Sequence, residues 1–106
     1  MKNSLYKGTL KNIILKLLKD EGRMYGYQMT QMAKEMTQGE LEMTEGALYP
    51  LLHKLEGEGM IDSETRTVNG RARKYYFLTE KGKKQQSSHE IEMKSFLTSL
   101  KTIFDV

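Results

Sequence analysis

Asn69-Gly70 is the most restrictive pair of residues in this chain. Both central positions of a tight two-residue turn need positive φ, which asparagine and glycine tolerate and most residues do not, so the pair calls for a β-hairpin. The flanks agree with it. Ile61, Ser63, Thr65 and Thr67 alternate with Asp62, Glu64, Arg66 and Val68 in a threonine-enriched run of period two, and Lys74-Tyr75-Tyr76-Phe77-Leu78 returns as an aromatic strand. On either side of residues 61–79 the apolar residues recur at helical spacing. The expected fold class is therefore α+β, mostly α, with one hairpin set into a helical body.

Upstream, residues 5–18 read as a helix on the stripe Leu10, Ile13, Ile14, Leu17 and Leu18, which Leu5 and Tyr6 extend, and Asp20-Glu21-Gly22 breaks the pattern. Lys2, Lys7, Lys11 and Lys16 fall mostly off that stripe, as a solvated face or as direct contacts to a partner. Met24 to Tyr27 leads into a second, shorter helix with the core stripe Met29, Met32, Ala33 and Met36. Methionines at this spacing are plastic core packing rather than a soft-metal site. Residues 37–43 form a turn, and a third helix follows in Thr44–Ile61. Its leucines at 48, 51, 52 and 55 make one buried face, while Glu45, Tyr49, His53, Lys54 and Glu56 lie on the other. Thr44 is its expected N-cap, and Gly57 and Gly59 its stops. Two helices joined by a short glycine-containing turn give the outline of a helix-turn-helix. Pro50 removes the bond to the carbonyl of Gly46 and is expected to bend or loosen the first turn.

After Thr79, the expected cap, the helical period resumes. A helix from Glu80 to Phe104 would be about 37 Å long. Its stripe of Met93, Phe96, Leu97, Leu100, Ile103 and Phe104, with Ile91 on the margin, is more than a small core can cover. A second copy of the same helix is the simplest cover.

Composition excludes more than it selects. One domain is what 106 residues allow, and 38% hydrophobic with 29% charged residues is a soluble globular balance. There is no cysteine, hence no disulfide framework and no thiolate zinc site, which fits the expected cytoplasmic location and equally an export route. No run approaches the length of a membrane span, and the N-terminus lacks the apolar core of a signal peptide. The only histidines, His53 and His89, lie in separate elements, Glu56 and Glu58 do not face each other on a helix, and no glycine-rich phosphate loop is present. We therefore expect no catalytic residues, no metal, no cofactor and no enzyme.

Charge placement is more informative than the net +3. Between Glu64 and Tyr76, four cations (Arg66, Arg71, Arg73 and Lys74) oppose a single Glu64, so the hairpin holds as much net charge as the whole chain. Helix, helix, capped helix and basic hairpin is the order of a winged helix-turn-helix. In that arrangement a helix enters the major groove and the hairpin's cations meet phosphates or the minor groove. The same hairpin could instead be a charged, solvated turn.

The run Tyr25-Gly26-Tyr27, then Gly46-Ala47-Leu48-Tyr49-Pro50-Leu51-Leu52-His53-Lys54-Leu55-Glu56, then Glu58-Gly59-Met60-Ile61, resembles the PadR family of bacterial and archaeal transcriptional regulators. Arg73-Lys74-Tyr75-Tyr76-Phe77-Leu78-Thr79-Glu80-Lys81-Gly82 is similar to the family's second signature. The resemblance covers roughly residues 10–85. It implies a winged-helix repressor that binds a pseudo-palindromic operator in double-stranded DNA as a homodimer. It assigns Thr44, Glu45, Gly46, Tyr49, Pro50, His53 and Lys54 to the recognition helix, Tyr27 and Gln28 to the start of the second helix, and Arg71, Arg73, Lys74 and Tyr75 to the wing. The family pattern often has His where Tyr25 stands, so no DNA contact is carried over to that position. The length matches the short subgroup, implying a winged helix-turn-helix domain over 1–79 and a C-terminal dimerisation helix over 80–106 with Met93, Phe96, Leu97, Leu100, Ile103 and Phe104 at the interface. Some short relatives hold flat drugs between protomers with a tryptophan. This chain has none, although Phe96, Phe104 and first-helix aliphatics could line a site for a small hydrophobic or aromatic inducer. Two other readings stay open: a winged-helix protein–protein module without specific DNA binding, and a ligand sensor whose DNA binding is secondary.

Overall fold

The computed structural model describes residues 6–106; Lys2 and Leu5 lie outside the described residues. The first helix, expected over 5–18, runs past its expected end. Lys7–Thr9 is a 3-10 turn, held by the Thr9 hydroxyl donating to the carbonyl of Tyr6, and α1 runs Leu10–Glu21. The helix runs through Asp20 and Glu21 and stops at Gly22, with Lys16 paired to the Asp20 carboxylate at 3.3 Å one turn on. Ile14, Leu15, Leu17 and Leu18 are buried, with Leu10 and Ile13 packed partly against them.

A two-residue strand, β1 (Met24–Tyr25), then leads directly into α2 (Gly26–Met36). Met29 and Ala33 are buried and Met32 partly so, but Met36, expected in the core, is 65% exposed. The helix has passed the edge of the core by its last turn. The chain then doubles back and buries Leu41 and Met43 in the core. Thr37 makes the reversal: its hydroxyl donates to the carbonyl of Ala33 and accepts from the amide of Leu41.

Helix α3 spans Glu45–Gly57, with the Thr44 hydroxyl accepting from the amide of Ala47 at 3.2 Å. Leu48, Leu52 and Leu55 are buried and Leu51 partly so. Pro50 does not interrupt the helix. It lies on the exposed face, as does Gly46, whose carbonyl can be hydrated in place of the bond that proline cannot donate.

Strands β2 (Ile61–Val68) and β3 (Arg71–Leu78) form the expected hairpin, with Asn69 at φ 53° and Gly70 at φ 77°. The sheet is antiparallel in the order β1-β3-β2. One face, carrying Ile61, Met24, Tyr76 and Leu78, closes the core. The register places Asp62, Glu64, Arg66 and Val68 opposite Phe77, Tyr75, Arg73 and Arg71 on the other face.

Helix α4 runs Glu80–Phe104, capped by Thr79, whose hydroxyl accepts from the amide of Gly82. The backbone amide of Thr79 donates to the carbonyl of Met60, and its hydroxyl donates to the carbonyl of Gly59. Gly82 is buried so closely against that carbonyl that a Cβ would overlap it. The first third of α4 lies along α1, where Lys16 and Lys19 reach Glu90 at 3.6 and 3.3 Å. Beyond it, Ile91, Phe96, Leu97, Ile103 and Phe104 are exposed, with Met93 and Leu100 half-buried.

Candidate nucleic-acid interface

The solvent-facing side of α3 presents Glu45, Tyr49, His53 and Lys54, all exposed, with Gly46 and Pro50 beside them. Thr44 is exposed too, but its hydroxyl serves as the helix cap. Tyr49 has a second attachment. Its hydroxyl end lies over the backbone of Gly26, where an added Cβ would come within 2.5 Å of the oxygen. Desolvation in that contact raises the phenol above its ordinary pKa, with the carboxylate of Glu45 pushing the same way. At 42% exposure, the ring both braces α3 against the start of α2 and shows an edge to solvent.

The start of α2 contributes Tyr27, 54% exposed, and Gln28. The Gln28 side chain is turned back to accept from the amide of Tyr25 at 3.0 Å, which satisfies one of the free donors of the first turn.

The wing is less uniform than its sequence. Because side chains alternate along a strand, Arg71, Arg73 and Tyr75 share the outer face of the sheet, while Lys74 points to the inner one. There its ammonium reaches Glu56 of α3 at 3.5 Å, and the Ser63 hydroxyl donates to the other oxygen of that carboxylate at 2.8 Å. Lys74 thus clips the wing to the end of α3 and is half exposed. On the outer face Arg66 stands directly opposite Arg73, a residue that the charge count noticed but the site assignment left out. The turn itself contained this information, since a two-residue loop at 69–70 fixes 66 against 73. Glu64 gathers two cations, Arg66 at 2.6 Å and Arg23 at 3.0 Å. Tyr25 and Tyr75 meet edge to face at 5.4 Å, and three arginines lie over rings: Arg23 on Phe77, Arg66 on Tyr75 and Arg73 on Tyr25. Neither Arg23 nor Tyr25 carried a sequence signal for this role; the pairing of β1 with β3 brings them there.

The described residues hold no group of three carboxylate or imidazole side chains placed to ligate a metal ion. No described helix is long and apolar enough to cross a membrane.

Three helices with a buried leucine face on the third, a two-stranded wing behind it and a long terminal helix define a winged helix-turn-helix protein. The chain belongs to the PadR-like family of transcriptional regulators, whose sequence model matches residues 14–88. A transcriptional regulator of Mycobacterium tuberculosis is 38% identical over 63 residues, a match covering 59% of this chain and 56% of that protein. The crystal structure of a PadR-like transcription factor from Bacteroides fragilis superposes with a TM-score of 0.76, at 33% identity over 96% of both chains. Bacillus subtilis PadR, solved in complex with operator DNA, superposes with a TM-score of 0.69 at 28% identity, over 86% of this chain and 59% of that one. These relatives regulate transcription and are not enzymes.

Proposed function

We propose that this chain binds double-stranded DNA sequence-specifically as a homodimer and represses transcription by occupying a pseudo-palindromic operator in the cytoplasm. The observation that carries the reading is a polar helix face in the same domain as a basic wing. The exposed side of α3 offers hydrogen-bonding groups on Glu45, Tyr49, His53 and Lys54. The wing, tied to the end of α3 through Lys74 and Glu56, carries Arg66, Arg71 and Arg73 on its outer face. A helix of this kind reads base edges, and guanidinium groups on a neighbouring hairpin hold phosphates or enter the minor groove. Tyr27 and Gln28 at the start of α2, and Thr44 at the start of α3, would meet backbone phosphates. The B. subtilis relative seen with operator DNA supports the assignment.

Dimerisation follows from the far end of α4, where Phe96, Leu97, Ile103 and Phe104 stand clear of the body of the protomer. An antiparallel pairing of two such helices would bury them and give the twofold symmetry that a pseudo-palindrome requires. A small hydrophobic or aromatic ligand that releases the DNA would act against Phe96 and Phe104 of the same surface.

Selection of duplexes from a random pool tests the reading as a whole. The expected product is an inverted repeat whose half-sites lie about one helical turn apart. Binding should weaken steeply with salt, by about 0.9 in logarithmic slope for each phosphate neutralised. Absence of enrichment, or binding indifferent to salt, would overturn it in favour of a protein–protein module.

A further inference from the structure

The four arginines of the sheet's outer face are not equivalent. Arg66 and Arg23 share the Glu64 carboxylate, so each must leave an ion pair before it can meet another anion. Arg73 is held differently. Its guanidinium lies over the Tyr25 ring, 4.6 Å from the centroid, and its Nη1 donates to the Tyr25 hydroxyl at 3.2 Å. An aromatic face orients a guanidinium without cancelling its charge, and most of its N–H donors stay free.

The holder is itself held. Tyr25 is in β1, paired directly with Tyr75, and the two rings meet edge to face. Its backbone amide is fixed by Gln28 in the first turn of α2. Arg73 therefore stands on a platform anchored in the helix-turn-helix, although it belongs to the wing. Arg66 and Arg73 face each other across the ladder, where two like charges repel, so an element that keeps Arg73 in place has work to do.

From this geometry we infer that Tyr25 is the positioning residue for Arg73, presenting its guanidinium uncompensated to a DNA phosphate at the wing. The inference rests on the DNA-binding reading above. Tyr25 acts through Arg73 and touches no DNA itself. A flexible arginine must give up rotamer freedom on binding, and Tyr25 removes that loss beforehand.

A double-mutant cycle separates this role from a merely structural one. Affinity for the selected duplex is measured by fluorescence anisotropy at several salt concentrations. The set comprises the unaltered protein, Arg73→Ala, Tyr25→Leu, Tyr25→Phe and the double variant Tyr25→Leu/Arg73→Ala. Arg73→Ala should weaken binding about tenfold and lower the salt slope by about one. Tyr25→Leu, which loses ring and hydroxyl, should weaken it about fivefold, and Tyr25→Phe, which keeps the ring, about twofold. In the Arg73→Ala background, Tyr25→Leu should add nothing. If Tyr25→Leu costs as much there as in the unaltered protein, or if neither Tyr25 variant weakens binding, the inference is overturned. Should Tyr25→Leu fail to fold, as judged by circular dichroism, the cycle closed by the double variant Tyr25→Phe/Arg73→Ala decides in its place. Failure of the parent reading looks different, since the unaltered protein would then enrich no duplex at all.

Discussion

Two stretches of one helix are treated very differently by the rest of the molecule. From Glu80 to Glu90, α4 is fastened at almost every turn. Thr79 and Gly82 lock its start to Met60, Lys81 donates to the carbonyl of Glu58, Gln86 is buried, and Glu90 gathers Lys16, Lys19 and Lys94. From Ile91 to Phe104 the helix carries larger apolar side chains and almost nothing covers them. Hydrogen bonds and ion pairs thus hold the helix where its apolar area is small, and apolar area is left open where they end. A stripe of this size on a soluble chain is normally covered by a partner. The contrast shows that hydrophobic content alone does not locate a core; the close approach at Gly82 and the ion pairs at Glu90 mark the part of the helix that is fastened to the rest of the chain.

That contrast can be broken at either end. The largest effect is expected distally. Phe96→Glu with Leu97→Glu should weaken self-association by a hundredfold or more, since each buried side chain is worth about 1.5–3 kcal/mol and about 1.4 kcal/mol is a factor of ten. Sedimentation equilibrium reads this directly, and the folded protomer should keep its circular dichroism. Dimers of unchanged affinity would place the interface elsewhere. Proximally, Gly82→Ala should destabilise the protomer by about 2–3 kcal/mol. Alanine is the better helix former, but its Cβ cannot share the space of the Met60 carbonyl. Urea denaturation measures it, and an unchanged midpoint would show that the junction can relax. The smallest effect sits at the boundary. The hydrogen bond from Gln86, with Lys94, Lys19 and Lys16 around it, lowers the Glu90 carboxyl from the usual 4.5 to about 2. A carboxyl lowered by folding contributes stability above its unfolded value and loses it as pH falls through the folded one. Glu90→Gln should therefore melt below the unaltered protein at pH 7, and the gap should close between pH 4.5 and 2. A gap independent of pH would mean that the lysines do not depend on this charge.

Much of this arrangement was legible in the sequence, for identifiable reasons. The hairpin register follows from Asn69-Gly70, and the start of α4 from Thr79, because turns and caps are local chemistry. The leucine face of α3 follows from spacing alone. What could not be read depends on contacts between distant segments. A two-residue strand such as β1 has no period to detect, yet it places Tyr25 under Arg73. Leu41 and Met43 sit in a stretch without periodicity and are buried only because Thr37 folds the chain back on itself. Met36 has the right spacing for the core, but the core stops before reaching it. Among the candidate contacts, Tyr27, Tyr49, His53, Lys54 and Arg71 are exposed. It could not tell that Lys74 is drawn to Glu56, or that Tyr49 rests on Gly26.

The glycine at 82 has a reach beyond its own neighbourhood. Met60, the residue it touches, follows the end of α3 by three positions. The origin of α4 and the end of the proposed reading helix are therefore a single rigid joint. A helix of 25 residues pinned there acts as a long pointer: a tilt of about 5° at the joint moves its far tip by roughly 3 Å. In a symmetric pair built through those tips, the distance between the two α3 helices would be set by how closely two backbones approach at one missing side chain.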